Sequence, residues 1–310
     1  MILTVTPNPA LDYTIRVDAI VVGKRAKYRE PSVDPSGKGI NVSRMIRRLG
    51  EPTLALGFAG GATGEILRQG LDREGVPHDL VPFSGLTRVN VTILSGTEGS
   101  ATHFHGPGDA VAEADLQQLL KRASSHLYHA RVLVLSGSLP PGIAPSSVAE
   151  LIRIAGLRGV RSIIDAEGEM LAAAIAAGAD LVKPNILEAS QFLGRPLSGV
   201  DEAVAAAREI AARGVKTVVV TLRGDGAVGV NGPRAWHVRP PREDVVRAIG
   251  AGDSFAAGLA VALSRGAELP EALRWAAAAG AATARHTGTS RGTAEEADAL
   301  RSSVDLRELA

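Results

Sequence analysis

A chain of 310 residues, 45% of them hydrophobic and with a formal net charge of +1, can bury a large core as one big domain or two ordinary ones. That charge balance and an aromatic content of only 3% argue against a basic, base-stacking surface and exclude nucleic acid as an expected partner. With no cysteine, disulfides, thiolate metal sites and cysteine nucleophiles are excluded as well, which suits a reducing compartment.

The opening "MILTVTPNPALD" has neither the basic start nor the long apolar run of a secretory leader. Its "ILTV" reads as a buried strand. Residues 12–35 contain alternating β-like positions with no helical partner. Within and after them, "DPSGKGINVSRMIRRLG" (34–50) is a Gly-rich loop running into a helix with Ile40, Met45, Ile46 and Leu49 as its apolar positions. Residues 87–105 alternate again, and "RVNVTIL" and "ATHFHG" read as antiparallel strands joined at "SGTEGS". This pattern fits ordinary surface hairpins or a small second sheet built from two insertions.

Further on, compact apolar runs at 131–137, 161–168, 181–185 and 216–222 read as buried strands of a parallel sheet. Helical stretches at 146–155, 169–177 and 200–213 separate them, and an Ala-rich helix covers 273–284. The alternation predicts a doubly wound α/β sheet, in which ligands gather at the carboxyl ends of the strands. The apolar stretch "AAGLAVAL" is far short of the ~20 residues a membrane helix needs. A cytoplasmic protein with no membrane partner is expected.

Four motifs carry candidate chemistry. In "AIGAGDSFAAG" (248–258), Gly250, Ala251 and Gly252 precede Asp253 where a helix begins. Free backbone N–H groups and the helix dipole make an anion hole there. A carboxylate beside an anion needs a reason, and a general base that deprotonates an attacking hydroxyl is one. A helix N-terminus should keep Asp253 ionised. The plainer alternative is an N-cap aspartate on a glycine turn. "GKGIN" is neither a Walker loop, since Lys38 is followed by Gly39, nor a dinucleotide fingerprint. Asn41 suits a polyol and Lys38 a phosphate, or the loop is a solvated turn.

In "KPNILE" (183–188), Asn185 and Glu188 share one helix face. The pair suits a hydrated Mg²⁺ beside nucleotide phosphates, or an N-cap with a capping box. "TLRGDGAVG" (221–229) reads as a strand–turn–strand whose glycines admit a flat ligand close to the backbone. His103 and His105 share a strand face but lack a third metal ligand, and Arg47 and Arg48 read as a solvated helix face.

Taken in order, "TPNPALD", "GKGIN", "GGATGE", "TRVNV", "SGSLPPG", "KPNILE" and "GAGDS" resemble the ribokinase-like sugar kinases of the PfkB family, nearest its phosphofructokinase and tagatose-6-phosphate kinase branch. The resemblance implies a ribokinase-like three-layer α/β/α sandwich with a small β-sheet lid. The core would comprise 1–11, 36–86 and 107–310, and the lid 12–35 and 87–106. It implies transfer of the γ-phosphoryl of ATP, with Mg²⁺, to a hydroxyl of a sugar phosphate. Asp253 matches the family's catalytic base, and Gly250, Ala251 and Gly252 its anion hole. Asn185 and Glu188, with Lys183 beside them, match the residues that organise phosphate and Mg²⁺, the ion being met by Glu188 through water. Thr221, Gly224 and Gly226 fall where the nucleotide binds. Asp12, Lys27, Gly37, Lys38, Gly39, Asn41 and Ser138 fall on the sugar side, with Arg88 at the substrate's existing phosphate.

Fructose-6-phosphate is the first substrate expected, with fructose-1-phosphate and tagatose-6-phosphate as alternatives. A sugar-phosphate sensor is the non-enzymatic one, although a sensor needs no base. A kinase of neutral sugars or nucleosides would leave Arg88 and Lys38 without a partner. A homodimer joined through the lid is the implied assembly. Many members bind a monovalent cation such as K⁺ beside the anion hole. Here Ala248 stands where the family often has threonine, and "ARHTGTSRG" is slightly longer than usual.

Overall fold

The computed structural model describes residues 1–96, 100–241, 249–286 and 288–309. β1 (Ile2–Thr6) is followed by β2 (Ala10–Val17), β3 (Arg29–Ser36) and α1 (Lys38–Arg48). Then come β4 (Thr53–Gly60), α2 (Gly61–Glu74), β5 (His78–Phe83), β6 (Arg88–Ser95) and β7 (Ser100–Phe104). α3 (Glu113–His126), β8 (Val132–Ser136), α4 (Ser146–Gly156), β9 (Arg161–Asp165) and α5 (Gly168–Ala176) form the next stretch. β10 (Leu181–Val182), α6 (Ile186–Leu193), α7 (Gly199–Ala211), β11 (Thr217–Thr221), β12 (Ala227–Asn231) and β13 (Arg234–Arg239) follow. α8 (Ala251–Ser264), α9 (Leu269–Ala284), α10 (Ala294–Arg301) and β14 (Asp305–Leu309) complete the chain.

One sheet has the order β14-β13-β12-β11-β10-β9-β8-β1-β4-β5. It is parallel from β5 to β11. The strands at the other end, β12, β13 and β14, are antiparallel, so the sheet is mixed rather than parallel throughout. The central strands are buried on both faces, which is why they read as unbroken apolar runs. Their residues nevertheless alternate. Ile2, Val132, Val134 and Ile163 face α1, α8, α9 and α10. Leu3, Val5, Leu133, Leu135 and Ile164 face α3, α4, α5, α6 and α7. Leu67 and Leu71 of α2 pack with Ile40 of α1 over Ala55 and Ala59. The result is the expected three-layer α/β/α sandwich. No helix among the described residues is long and apolar enough to cross a membrane.

The two alternating insertions form one second sheet, β3-β2-β6-β7. Its hairpin β2–β3 leaves the core just after β1 and returns at α1. One row of paired residues across all four strands is Val33, Tyr13, Val91 and Phe104; the next is Ser32, Thr14, Thr92 and His103. The pleat puts successive rows on opposite faces, so the lid has an apolar face and a polar one. Asp12 and Asn90 belong to the polar face. Residues 97–99 of the "SGTEGS" turn lie outside the described residues.

Candidate active site

The carboxyl ends of β1, β9, β10 and β11 meet the N-termini of α1, α6 and α8. α1 starts immediately beside β1. Gly37 caps it at φ 130°, a region only glycine occupies readily. A Cβ on Gly37 would lie 2.7 Å from Thr6 Cγ2, and one on Gly39 would strike Thr6 Oγ1. These two glycines therefore let the helix end close on the strand end, and Lys38 between them reaches into the centre.

There, Lys38 Nζ lies 3.7 Å from Asp165 Oδ1 and 3.5 Å from Glu188 Oε1. Lys183 Nζ lies 3.2 Å from Asp165 Oδ2, with both side chains almost wholly buried. Asp165, the last residue of β9, thus bridges two lysines. Sequence reasoning gave it no role, although its position at a strand's carboxyl end was a signal. The carboxylates hold the Lys38 ammonium well above its ordinary pKa, Asp165 contributing most and Glu188 less, against the opposing effect of burial.

Asp253 is the third residue of α8, not its N-cap. Gly250 is the cap, at φ 76°, and a Cβ there would lie 2.5 Å from Thr289 Cγ2. Asp253 is buried. It accepts a 2.8 Å hydrogen bond from Asn41 Nδ2, and Asn41 Oδ1 accepts one of 2.8 Å from Arg44 Nη1. Burial and then the Asp165 carboxylate push its pKa up to about 6, opposed by the Asn41 bond, Lys38 and Lys183. Burial, which the local sequence does not show, is the largest cause of this raised value. At neutral pH the group is still mostly ionised, close to the range suited to a general base.

At "KPNILE" the cap is formed. Asn185 Oδ1 accepts from Leu187 N at 2.9 Å and Glu188 N at 3.0 Å, while Glu188 Oε2 accepts from Asn185 N at 2.8 Å. The Asn185 oxygen is thereby committed to the helix. Glu188 Oε1 instead faces Lys38. Among the described residues no group of three or more His, Cys, Asp or Glu side chains could hold a metal ion. A carboxylate oxygen at the centre fits a water-shelled Mg²⁺ completed by substrate phosphates rather than a protein cage.

Thr221, Gly224 and Gly226 meet Ala251 and Gly252 in a groove of about 400 Å³. Its apolar wall comes from Phe255 of α8 and Ala277, Ala281 and Ala284 of α9. A Cβ on Gly280 would approach Ala251 O at 3.2 Å, so this glycine keeps α9 close to the head of α8. Sequence reasoning missed the α9 wall, because a run of alanines looks the same whether it packs against a helix or a ligand. A broader concavity of about 850 Å³, lined by Arg161, Leu181 and Thr217, lies at the opposite ends of the strands.

On the lid side, Asp12 accepts from Ser36 Oγ at 2.7 Å and from Asn90 Nδ2 at 2.9 Å. Arg88 donates from Nη1 to Gly106 O and from Nη2 to Asn8 O, both at 2.9 Å, while its buried Nε has no hydrogen-bond partner among the described residues. The fork expected to meet a phosphate is thus held on two carbonyls. Ser138 shares an open concavity with Arg88. Lys27 is exposed between β2 and β3, and no hydrogen bond or ion pair among the described residues ties it to the site. His103 bonds Thr92 at 3.0 Å, and Arg47 and Arg48 lie on an exposed face. Ala248 lies outside the described residues, as does Thr287 within the "ARHTGTSRG" stretch.

A family model described as pfkB family carbohydrate kinase matches residues 6–296. The ATP-dependent 6-phosphofructokinase isozyme 2 of Escherichia coli is 38% identical over 290 residues, covering 93% of this chain and 94% of that protein. The 1-phosphofructokinase of Bacillus subtilis is 33% identical over 284 residues, covering 92% of each. The crystal structure of Escherichia coli phosphofructokinase-2 with potassium superposes with a TM-score of 0.92 at 36% identity, covering 97% of this chain and 98% of that one. A tetrameric inhibited form of that enzyme gives 0.90 at 35% identity and the same coverage. The matches extend over nearly the whole chain, through the strand ends and helix heads just described, and the chain belongs to the pfkB family of carbohydrate kinases, among relatives that are phosphofructokinases.

Proposed function

We propose that this kinase transfers the γ-phosphoryl group of ATP to a hydroxyl of fructose-6-phosphate. The observation that carries the reading is Asp253, a buried carboxylate with a pKa of about 6, set between the apolar groove and the lid-side residues. The groove takes the adenine, with Thr221, Gly224 and Gly226 at its edge. The phosphates run toward Gly250, Ala251 and Gly252, where the free N–H groups of α8 receive the transferring group. Lys38 and Lys183 balance its charge. Glu188 would hold a hydrated Mg²⁺, which would supply charge to neutralise phosphate oxygens. Asp12, Gly37, Gly39, Asn41 and Ser138 orient the sugar, and Arg88 faces its phosphate with Lys27 assisting. Asp253 accepts the proton from the attacking hydroxyl. Such a reaction rests mainly on positioning and electrostatics, and the lid keeps water from the phosphoryl group. A cytoplasmic location belongs to the same reading.

The Bacillus subtilis relative supports fructose-1-phosphate as the second substrate, and tagatose-6-phosphate stands third. ADP release with ATP and Mg²⁺, measured on all three with and without K⁺, is expected to show the highest kcat/KM for fructose-6-phosphate. A higher value for fructose-1-phosphate reverses the order. No turnover with any of them rejects the phosphofructokinase reading. The potassium-bound relative supports a dependence on K⁺, and equal rates without it would remove the cation.

The lid's apolar face supports a homodimer. Val33, Val89 and Phe104 are exposed there, and an uncovered apolar sheet invites a second copy. The protein is expected to sediment as a dimer and Phe104→Asp as a monomer. A variant with unchanged mass would place the interface elsewhere, and a wild-type tetramer would require a further contact.

A further inference from the structure

Asn41 stands between two groups with opposite demands. Its Nδ2 donates to the Asp253 carboxylate, and its Oδ1 accepts from Arg44. A primary amide has a donor end and an acceptor end of nearly the same shape, so rotation exchanges them unless a neighbour forbids it. Arg44 has donors only. It fixes the amide oxygen toward itself and therefore the NH₂ group toward Asp253.

Arg44 is itself firmly held. It is buried. Its Nε donates to Glu74 Oε2 at 2.6 Å and its Nη2 to Glu74 Oε1 at 3.1 Å. The same Nη2 donates to Pro35 O at 2.9 Å. Glu74 ends α2 and Pro35 lies in β3, so two elements outside α1 anchor the guanidinium.

We propose that Arg44 is a positioning residue for the reaction: it locks the Asn41 amide so that a hydrogen-bond donor always faces the base. The inference rests on Asp253 being that base. With the amide reversed, Oδ1 would face the carboxyl group and bond it only when Asp253 carries a proton. Locking the amide thus favours the ionised form, and releasing it favours the protonated form. The charged groups that also act on Asp253 are Asp165 from β9, Lys38 from α1 and Lys183 beyond β10. None of them is replaced when Arg44 is changed.

The test is the pH profile of kcat/KM for Arg44→Met and Glu74→Gln, with the sugar phosphate the enzyme prefers. Arg44→Met is expected to lower kcat about 10–100-fold and to move the acid limb up by about one pH unit or more. Glu74→Gln removes a charge from one anchor of Arg44 and is expected to move the limb less, in the same direction. A lowered kcat with an unmoved acid limb in the folded variants makes Arg44 a packing residue and overturns the proposal. If Arg44→Met does not fold, an unmoved limb in Glu74→Gln overturns it. Near-normal turnover by Asp253→Asn would instead remove the base itself, so the two failures are told apart.

Discussion

Asp253→Asn is expected to lower kcat by about 10²–10⁴-fold while making the folded protein more stable at neutral pH. The loss follows from removing the group proposed to accept the hydroxyl proton. The gain follows from its burial. In the folded chain the carboxyl group titrates at about 6, against an ordinary value of 3.8. A raised value means that folding favours the protonated form. The associated stability is present at low pH and is lost as pH rises through about 6. At pH 7 the native enzyme therefore carries nearly the whole cost of a buried charge, up to about 3 kcal/mol. An asparagine oxygen still accepts the Asn41 bond, so the variant avoids that cost without leaving Asn41 unpaired. Urea unfolding should show a gain of about 1–2 kcal/mol at pH 7 that shrinks toward pH 4. Equal stability at both pH values would mean that the buried charge is not costly. Near-normal turnover would remove Asp253 from the chemistry.

Asp165→Asn is expected to act in the opposite sense on stability, costing about 3–5 kcal/mol. Lys183 is almost wholly buried and lies 3.2 Å from the carboxylate it would lose. Lys38 loses the same partner. Breaking such a pair leaves uncompensated positive charge in a place water hardly reaches. The substitution also removes the negative charge that most opposes ionisation of Asp253, so the acid limb of kcat/KM should move below pH 6. Denaturation and the pH profile read the two effects separately. A limb that stays in place would assign the raised value of Asp253 to burial alone.

Much of the architecture was legible because the central strands are apolar on both faces and end in polar residues. The lid was legible from alternation, though only its pairing decides between loose hairpins and one sheet. Of the sheet's antiparallel end, the strand–turn–strand at 221–229 was legible, whereas β14 was not, being the short, largely exposed segment Asp305–Leu309. At the site, the motif residues at the heads of α1, α6 and α8 were found by local pattern. The raised pKa of Asp253 was not legible, because a helix terminus is local and burial is global. Arg44, on the same helix as Arg47 and Arg48, drew no sequence reading of its own. Its spacing of three from Asn41 was the available signal, since residues three apart on a helix are neighbours. Only the fold reveals that Arg44 turns inward while the other two face water.

The pleat of β2 gives alternate side chains to the apolar and polar faces of the lid, Tyr13 to one and Asp12 and Thr14 to the other. A one-residue slip or insertion in this strand would exchange the two faces at once. It would turn Tyr13 toward the polar side and the Asp12 carboxylate toward the apolar one. Substitutions can tune either face separately, but length changes cannot. Evolution along this lid should therefore proceed by exchange of side chains at constant strand length, with insertions confined to the exposed segment between β2 and β3.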